Sequence, residues 1–377
     1  MRIAFDARPL VGRRTGVGVW LEGLLRGLAT SGQDELVLCL PRRGGDLGLG
    51  ELGDRTTRLV SALPLPGTVW LHTLAGPSLA GRADVFIATL GILPRRVPIP
   101  AVVVVHDLTP RTRPHHHRLA NRYCFNAYFE ESVLRADVVV CDSEATRKRL
   151  AEVLPRQAAE ARVVSLAVDP FYCPGEPDEP PAPTQEMFAR GRPFVVQLGT
   201  LEPRKGLATL VDAHAALLRQ RPQGPDLVLA GAPGWADPQL ERALASHPDQ
   251  RRIHRPGYVS REQARALLRH AEVVVLAAEE EGFGLPLAEA MACGACCLAS
   301  DEPALIEVGG TAVRYFPRGD SQALAVTLME LLDARDRPAL RSAALLRAQE
   351  LGWASVIAAW RSLLAGLRMP RDAAPRH

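Results

Sequence analysis

The amino-acid sequence predicts an α/β protein made of two doubly wound, Rossmann-like domains facing a central crevice. Three observations carry that reading. Short apolar runs alternate with amphipathic helical stretches, the rhythm of parallel sheets covered by helices. That rhythm breaks once, at a run rich in proline, and then restarts. At 377 residues the chain is also too long for one ordinary core and suits roughly two domains.

Taken in order, the first half offers strands at residues 3–5, 36–40, 85–88, 101–105 and 138–141. The valines of 102–105 show no alternation, as expected of a strand covered on both faces. Between the first two strands, Val17, Leu21, Leu24, Leu25 and Leu28 fall on one face of a helix, and Gly32 is a natural stop. Residues 174–183 read Pro-Gly-Glu-Pro-Asp-Glu-Pro-Pro-Ala-Pro, which suits neither helix nor central strand and predicts a stiff, solvated linker. Strands resume at 194–198, 227–230, 273–276 and 296–299. The expected layout is a first domain over 1–173, a linker over 174–192, a second domain over 193–350, a helix over 351–369 and a tail over 370–377. In that last helix Trp353, Ile357, Trp360 and Leu364 share one side. Packing on the body of the protein is expected of it, with a membrane-surface helix as the alternative.

Composition narrows the class. Hydrophobic residues at 47% and charged residues at 23% suit a soluble globular enzyme. A net charge of +3 is too mild for a nucleic-acid partner, which needs a concentrated basic stripe. It suits anionic substrates or a weak peripheral contact with an anionic membrane surface. The seven cysteines are odd in number and irregular in spacing, which argues against a disulfide framework. Cys293 and Cys296 form a Cys-x-x-Cys with no second pair, so buried apolar packing is expected there rather than zinc. Arg2, Asp6 and Arg8 interrupt any apolar signal core, and no apolar run approaches the ~20 residues of a membrane span. A cytoplasmic location is expected, with attachment at the inner membrane face left open.

Four segments could carry chemistry. The first, Glu-Gly-Phe-Gly-Leu-Pro at 281–286, follows an expected strand and runs into Glu289 and Gly294. Pro286 suits the first position of a helix, and Gly282 and Gly284 let backbone N–H groups approach a ligand. The helix N-terminus then favours an anion, and Glu281 and Glu289 can both point into the crevice. The bland alternative is a tight strand-to-helix turn with Glu289 in solvent. The second segment, Gly-Thr-Leu-Glu-Pro-Arg-Lys-Gly at 199–206, again follows a strand. Arg204 can fork onto phosphate oxygens and Lys205 adds a point charge, although a charged surface turn would look the same. The third, Thr15-Gly16-Val17-Gly18, is an incomplete glycine signature for phosphate. The fourth is His106-Asp107 at the end of a strand, where doubly wound folds place ligands. Beyond it a basic stretch over 111–122 includes Arg111, Arg113, His115, His116, His117, Arg118 and Arg122. Its spacing does not support a metal site; a solvated loop is the plain reading, and an acceptor phosphate or anionic lipid the alternative.

Together these segments resemble the family-4 (group 1) retaining glycosyltransferases of GT-B fold, in the expected order and through most of the chain. The match includes Asp6-Ala7-Arg8 to Gly18, Val105-His106-Asp107-Leu108, Asp142-Ser143-Glu144, the 199–206 loop, and Glu281 and Glu289 seven residues apart. The resemblance implies an acceptor-side first domain and a second domain that binds a nucleotide-diphosphate sugar. Glu281 would contact the donor sugar and Glu289 the ribose. Arg204 and Lys205 would hold the diphosphate, helped by Thr200, Gly16, Gly18 and the backbone of Gly282, Phe283, Gly284 and Leu285. His106 would sit beside the donor sugar. No metal or other cofactor is implied, and the acceptor is a saccharide, a lipid-linked saccharide or a small molecule. Mannose is the donor sugar suggested by family frequency. Three departures stand out. Thr200 occupies a place where some members carry Arg. Ala278-Glu279-Glu280 replaces the frequent Ser and aromatic, so the two extra carboxylates either alter sugar selection or face solvent. Cys296-Cys297 replaces Pro-Val. A non-catalytic sugar-nucleotide-binding partner of the same fold is the alternative function. A dinucleotide-dependent oxidoreductase is disfavoured by the incomplete glycine fingerprint.

Overall fold

The computed structural model describes all residues except 13, 31, 33, 42–46, 51, 53–54, 62, 64, 113–118, 176–190, 236 and 368–377; of residues 119–124 it describes the backbone. The described chain divides into two compact units. One comprises Met1–Thr112, Leu119–Ala167 and the residues from Gly352 onward, the other Val168–Leu351. The change from the first to the second falls between Ala167 and Val168, ahead of the Pro-rich stretch, most of which lies outside the described residues.

Among the described residues, ten helices are eight residues long or more. The first unit contains β1 (Arg2–Asp6), α1 (Gly16–Ala29), β2 (Glu35–Leu40), β3 (Thr56–Val60), β4 (Val85–Ala88), β5 (Ala101–Val105), α2 (Leu119–Arg135), β6 (Val138–Cys141), α3 (Glu144–Val153) and β7 (Arg162–Val163). Its strands form one parallel sheet in the order β3-β2-β1-β4-β5-β6-β7. The second unit contains β8 (Phe194–Leu198), α4 (Leu207–Gln220), β9 (Asp226–Ala230), α5 (Pro238–Ser246), β10 (Ile253–Gly257), α6 (Arg261–His270), β11 (Val273–Leu276), α7 (Leu285–Ala292), β12 (Cys297–Ser300), β13 (Arg314–Phe316), α8 (Ser321–Asp333) and α9 (Arg337–Glu350). Its parallel sheet runs β10-β9-β8-β11-β12-β13. Both sheets are doubly wound. The direction of winding reverses between β1 and β4 in one and between β8 and β11 in the other, the place where such folds bind ligands beyond the strand C-termini.

The central strands are apolar because helices cover both faces. β4, β5, β8, β9 and β11 are buried at every residue. Each of them coincides with an apolar run expected to be a strand. The four edge strands β3, β7, β10 and β13 were not expected, because they are short or partly exposed and carry no continuous apolar run.

The last helix, α10 (Trp353–Leu367), belongs to the first unit and buries Val356, Ile357, Trp360 and Leu364. It lies against α1, where a Cβ on Gly23 would fall 1.9 Å from Cζ2 of Trp353. The Trp20 and Trp360 rings meet with centroids 6.2 Å apart. Among the described residues, no helix is long and apolar enough to cross a membrane.

Candidate active site

Two loops leave the second sheet on either side of its switch point, one after β8 and one after β11. They are built as a single piece. Gly206 closes a 3-10 turn over Pro203–Lys205 with φ +63°, and a Cβ there would lie 1.9 Å from the carbonyl oxygen of Ala277 in the other loop. Only glycine satisfies both the dihedral and the space. The Glu279 N–H donates to the carbonyl of Arg204 at 2.8 Å. Gln197, buried near the end of β8, ties the loops from below: its Nε2 donates to the Lys205 carbonyl at 2.8 Å, and its Oε1 accepts from the Ala277 N–H at 3.2 Å. Ser300 donates to the carbonyl of Ala278 at 2.5 Å.

This frame brings together three residues chosen from the sequence. Arg204 Nη1 donates to Glu281 Oε2 at 2.9 Å, and Lys205 Nζ bonds Oε1 of the same carboxylate. The other arm of Arg204 meets Glu202 Oε1 at 2.6 Å, a partner that the sequence reading passed over. Both carboxylates are buried. Burial alone would raise the Glu281 carboxyl, but Lys205 and Arg204 outweigh it and hold it down to about 2. Two cations are therefore fixed at a strand end by two carboxylates, with their geometry settled before any ligand arrives. Glu280 is buried rather than solvent-facing, and its carbonyl accepts from Arg204 Nη1 at 3.3 Å; Glu279 is partly buried. Thr200 is exposed on the same loop.

The segment after β11 then turns into α7. Gly284 caps the helix at φ +100°, where a Cβ would meet Leu305 Cδ2 at 2.5 Å. Gly282 and Phe283 are buried and Leu285 is partly buried. Leu285 takes the first helical position, so Pro286 stands second rather than first, still within the turn whose N–H groups lack helical partners. Gly294 ends the helix at φ +73°, with the Ala295 N–H reaching back to the Ala290 carbonyl at 3.0 Å.

Glu289 lies one turn into α7, partly buried, and its carboxyl has no hydrogen-bond partner among the described residues. Burial pushes it up to about 8, with Arg261 pulling down and Asp169 pushing further up. Those neighbours form a small built wall. Arg261 pairs with Asp169 at 2.6 Å and lies 4.6 Å from the centroid of the Phe171 ring. Arg265, one turn further along α6, donates to the Phe171 carbonyl at 3.1 Å. Nothing in the sequence marked this wall, because Asp169 and Phe171 follow β7 while Arg261 and Arg265 sit some 90 residues later.

In the first unit the sequence-chosen residues stand at strand ends. His106 follows β5 and is bonded at both ring nitrogens: Nδ1 to Asp142 Oδ2 at 2.6 Å and Nε2 to the Thr89 carbonyl at 2.9 Å. Burial would lower its basicity, but the Asp142 carboxylate outweighs burial and raises it. Within Asp142-Ser143-Glu144, Ser143 caps α3 by accepting from the Thr146 N–H, and Glu144 pairs with Arg147. Asp6 and Arg8 pair at the end of β1. Gly16 opens α1, exposed, and Gly18 is buried within 2.6 Å of the Pro9 carbonyl, measured from where its Cβ would stand. Of the basic stretch, Arg111 pairs with Glu130; residues 113–118 and the side chain of Arg122 lie outside the described residues.

The sequence over residues 14–170 matches the Glycosyltransferase Family 4 model, and residues 179–344 match the model for Glycosyl transferases group 1. The chain belongs to the group 1 glycosyl transferases. This group 1 enzyme is a glycosyltransferase that uses a nucleotide-sugar donor, and its two Rossmann-like units are those of the GT-B fold. Its relatives include the O-antigen chain mannosyltransferase B of Escherichia coli, 28% identical over 254 residues, which cover 67% of each chain. The serotype-specific mannosyltransferase WbdA of Escherichia coli is 26% identical over 73% of this chain, which spans only 34% of that longer protein. Among solved structures, Anabaena HepE in complex with UDP-glucose superposes with a TM-score of 0.75 over 97% of this chain and 100% of its own, at 19% identity.

Proposed function

We propose that this glycosyltransferase moves a hexose, mannose foremost, from a nucleoside diphosphate to a saccharide, lipid-linked or small-molecule acceptor, with retention at the anomeric carbon and without a metal ion. The observation that carries the donor assignment is the ion cluster of Arg204, Lys205, Glu281 and Glu202 beside the N-terminus of α7. Two fixed cations and a set of helical N–H groups suit the departing diphosphate, whose charge grows as the sugar bond breaks. In the retaining route the bond from the anomeric carbon to phosphate oxygen breaks and the acceptor oxygen bonds that carbon from the same face. The acceptor proton passes to the departing phosphate. Such a step needs positioned charge more than a strong protein base. On this reading Glu281 orients both cations and meets the donor sugar, Glu289 receives the ribose hydroxyls, and His106 serves the reacting sugar. Gly16, Gly18, Thr200, Gly282, Phe283, Gly284 and Leu285 line the donor. Mannose is supported by the names of the relatives above.

The test is turnover against a panel of nucleotide sugars with each acceptor class, detecting released nucleotide and the anomeric configuration of the product. GDP-mannose should give the highest rate, with the α-configuration of the donor kept, and a chelator should leave the rate unchanged. Release with inversion would refute the mechanism, and complete loss with chelator would refute metal independence. Sugar-nucleotide binding without transfer or hydrolysis would favour a non-catalytic partner.

A further inference from the structure

The first unit carries a chain of bonds that links four neighbouring strand ends. Thr89, just after β4, donates its hydroxyl to the Asp6 carbonyl of β1 at 2.6 Å, while its own carbonyl accepts from His106 Nε2 after β5 at 2.9 Å. His106 Nδ1 in turn meets Asp142 Oδ2 after β6 at 2.6 Å. Asp142 and Thr89 are buried, and the His106 side chain is 14% exposed. A carbonyl oxygen can only accept, so the hydrogen on Nε2 is fixed by Thr89. A neutral imidazole would then leave Nδ1 as a bare acceptor facing a carboxylate oxygen, an arrangement that needs one more proton between them. Trp20 of α1 packs against the imidazole in a T-shaped contact with centroids 4.8 Å apart, which holds the ring from a third side. Asp107, the next residue, spends its carboxylate on the Thr109 N–H and hydroxyl at 3.1 and 2.8 Å.

We propose that Asp142 is a positioning residue of the transfer reaction: it and His106 hold one proton between them, and this locks the imidazole with both nitrogens turned to the protein. His106 then offers a sugar its polarised C–H edge and its backbone, not a ring nitrogen. It neither takes nor gives a proton in the transfer. This rests on the reading that His106 serves the reacting sugar, and it gives a task to a carboxylate for which that reading had no use.

The test begins with the intact, unmodified chain carrying 15N-labelled histidine, with the His106 signals identified by their loss in His106→Gln. Both ring nitrogens of His106 should remain protonated at pH values where an ordinary imidazole, near 6.5, has lost its proton. In Asp142→Asn the carboxamide N–H can donate to Nδ1, so the ring should become the neutral Nε2–H form with the Thr89 bond retained. With that variant shown to be folded by its thermal melt, kcat should fall about 10- to 100-fold, while the donor KM changes less than about 3-fold. An unprotonated Nδ1 at pH 7 with an ordinary titration near 6.5 would overturn the shared proton. Activity of Asp142→Asn within about twofold of the parent across pH 6–9 would overturn the positioning role. If Asp142→Asn does not fold, the titration of the unmodified chain decides. A shared proton in a chain that transfers no sugar from any donor would sink the functional reading and leave the pair standing.

Discussion

Each unit holds a histidine in a network of hydrogen bonds, and the two are treated in opposite ways. His106 faces an oxygen at each ring nitrogen, and both oxygens accept. His214, wholly buried in α4, faces the Pro225 carbonyl at Nε2 and His247 at Nδ1, at 2.9 and 3.0 Å. His247 in turn accepts at its own Nδ1 from the Asp249 N–H at 3.2 Å. Each donor in this second chain has one acceptor, so it closes with both rings neutral. One network keeps a proton in and the other keeps it out. The difference teaches that burial alone does not set the charge of a histidine here: it lowers the basicity of both, and at His106 the Asp142 carboxylate outweighs it. The same holds for the carboxylates of the second unit. Glu281, buried with two cations, is held at about 2, while burial pushes Glu289, which has no hydrogen-bonded partner among the described residues, up to about 8.

The largest expected effect breaks the cation side of that contrast. Lys205→Ala removes one of the two charges on Glu281 and leaves a buried carboxylate with Arg204 alone. Turnover should fall about 100- to 1,000-fold in kcat/KM, the size of losing one preorganised contact to a transition-state charge. Near-normal rates would mean that the cluster is structural.

The next effect concerns stability. Burial lowers His214 to about 4, with Arg252 and His247 adding to it. The unfolded chain, near 6.5, therefore binds this proton first, and stability falls as pH drops through the window from about 6.5 to about 4. Between pH 7 and pH 5 the loss from this group is about 2 kcal/mol. For His106 the sign is reversed. Its folded value is raised, so its contribution is complete below about 6.5 and fades as pH climbs through the folded value. In urea unfolding at pH 7 and pH 5, His214→Asn should lose about 2 kcal/mol less than the unmodified chain over the interval. Equal slopes would erase the contrast between the two histidines.

Much of this was legible in the sequence, and what was not has physical causes. Every strand buried on both faces announced itself as an apolar run, whereas edge strands such as Thr56–Val60 mix exposed and partly buried residues and left no such mark. Arg204, Lys205 and Glu281 were legible because each stands in a glycine-bearing segment directly after an apolar run, in motifs that resemble the family's. Glu202 was read only as part of the loop, since nothing in one dimension shows that its carboxylate turns back onto Arg204. Gln197 did leave a signal, a lone amide inside Phe-Val-Val-Gln-Leu; a polar side chain in a fully buried strand must find partners, and these lie in two separate loops. The wall around Glu289 joins segments far apart in the chain and was invisible for that reason.

Glu289 gives the smallest expected effect and the sharpest test of what an unpartnered carboxyl is for. At pH 7 a group held near 8 is mostly protonated, and a protonated carboxyl accepts hydrogen bonds from ribose hydroxyls less well than a carboxylate does. If the donor binds the ionised form, its apparent Kd should tighten about tenfold between pH 7 and pH 9, following the ionised fraction. Glu289→Gln cannot ionise and should bind with one affinity across that range, close to that of the unmodified chain at pH 7. Calorimetric titration with the nucleoside diphosphate alone reads this directly, since the ribose is present and no transfer can follow. A pH slope that survives in Glu289→Gln would assign the titration to another group and leave Glu289 as a residue of the wall formed with Arg261 and Asp169.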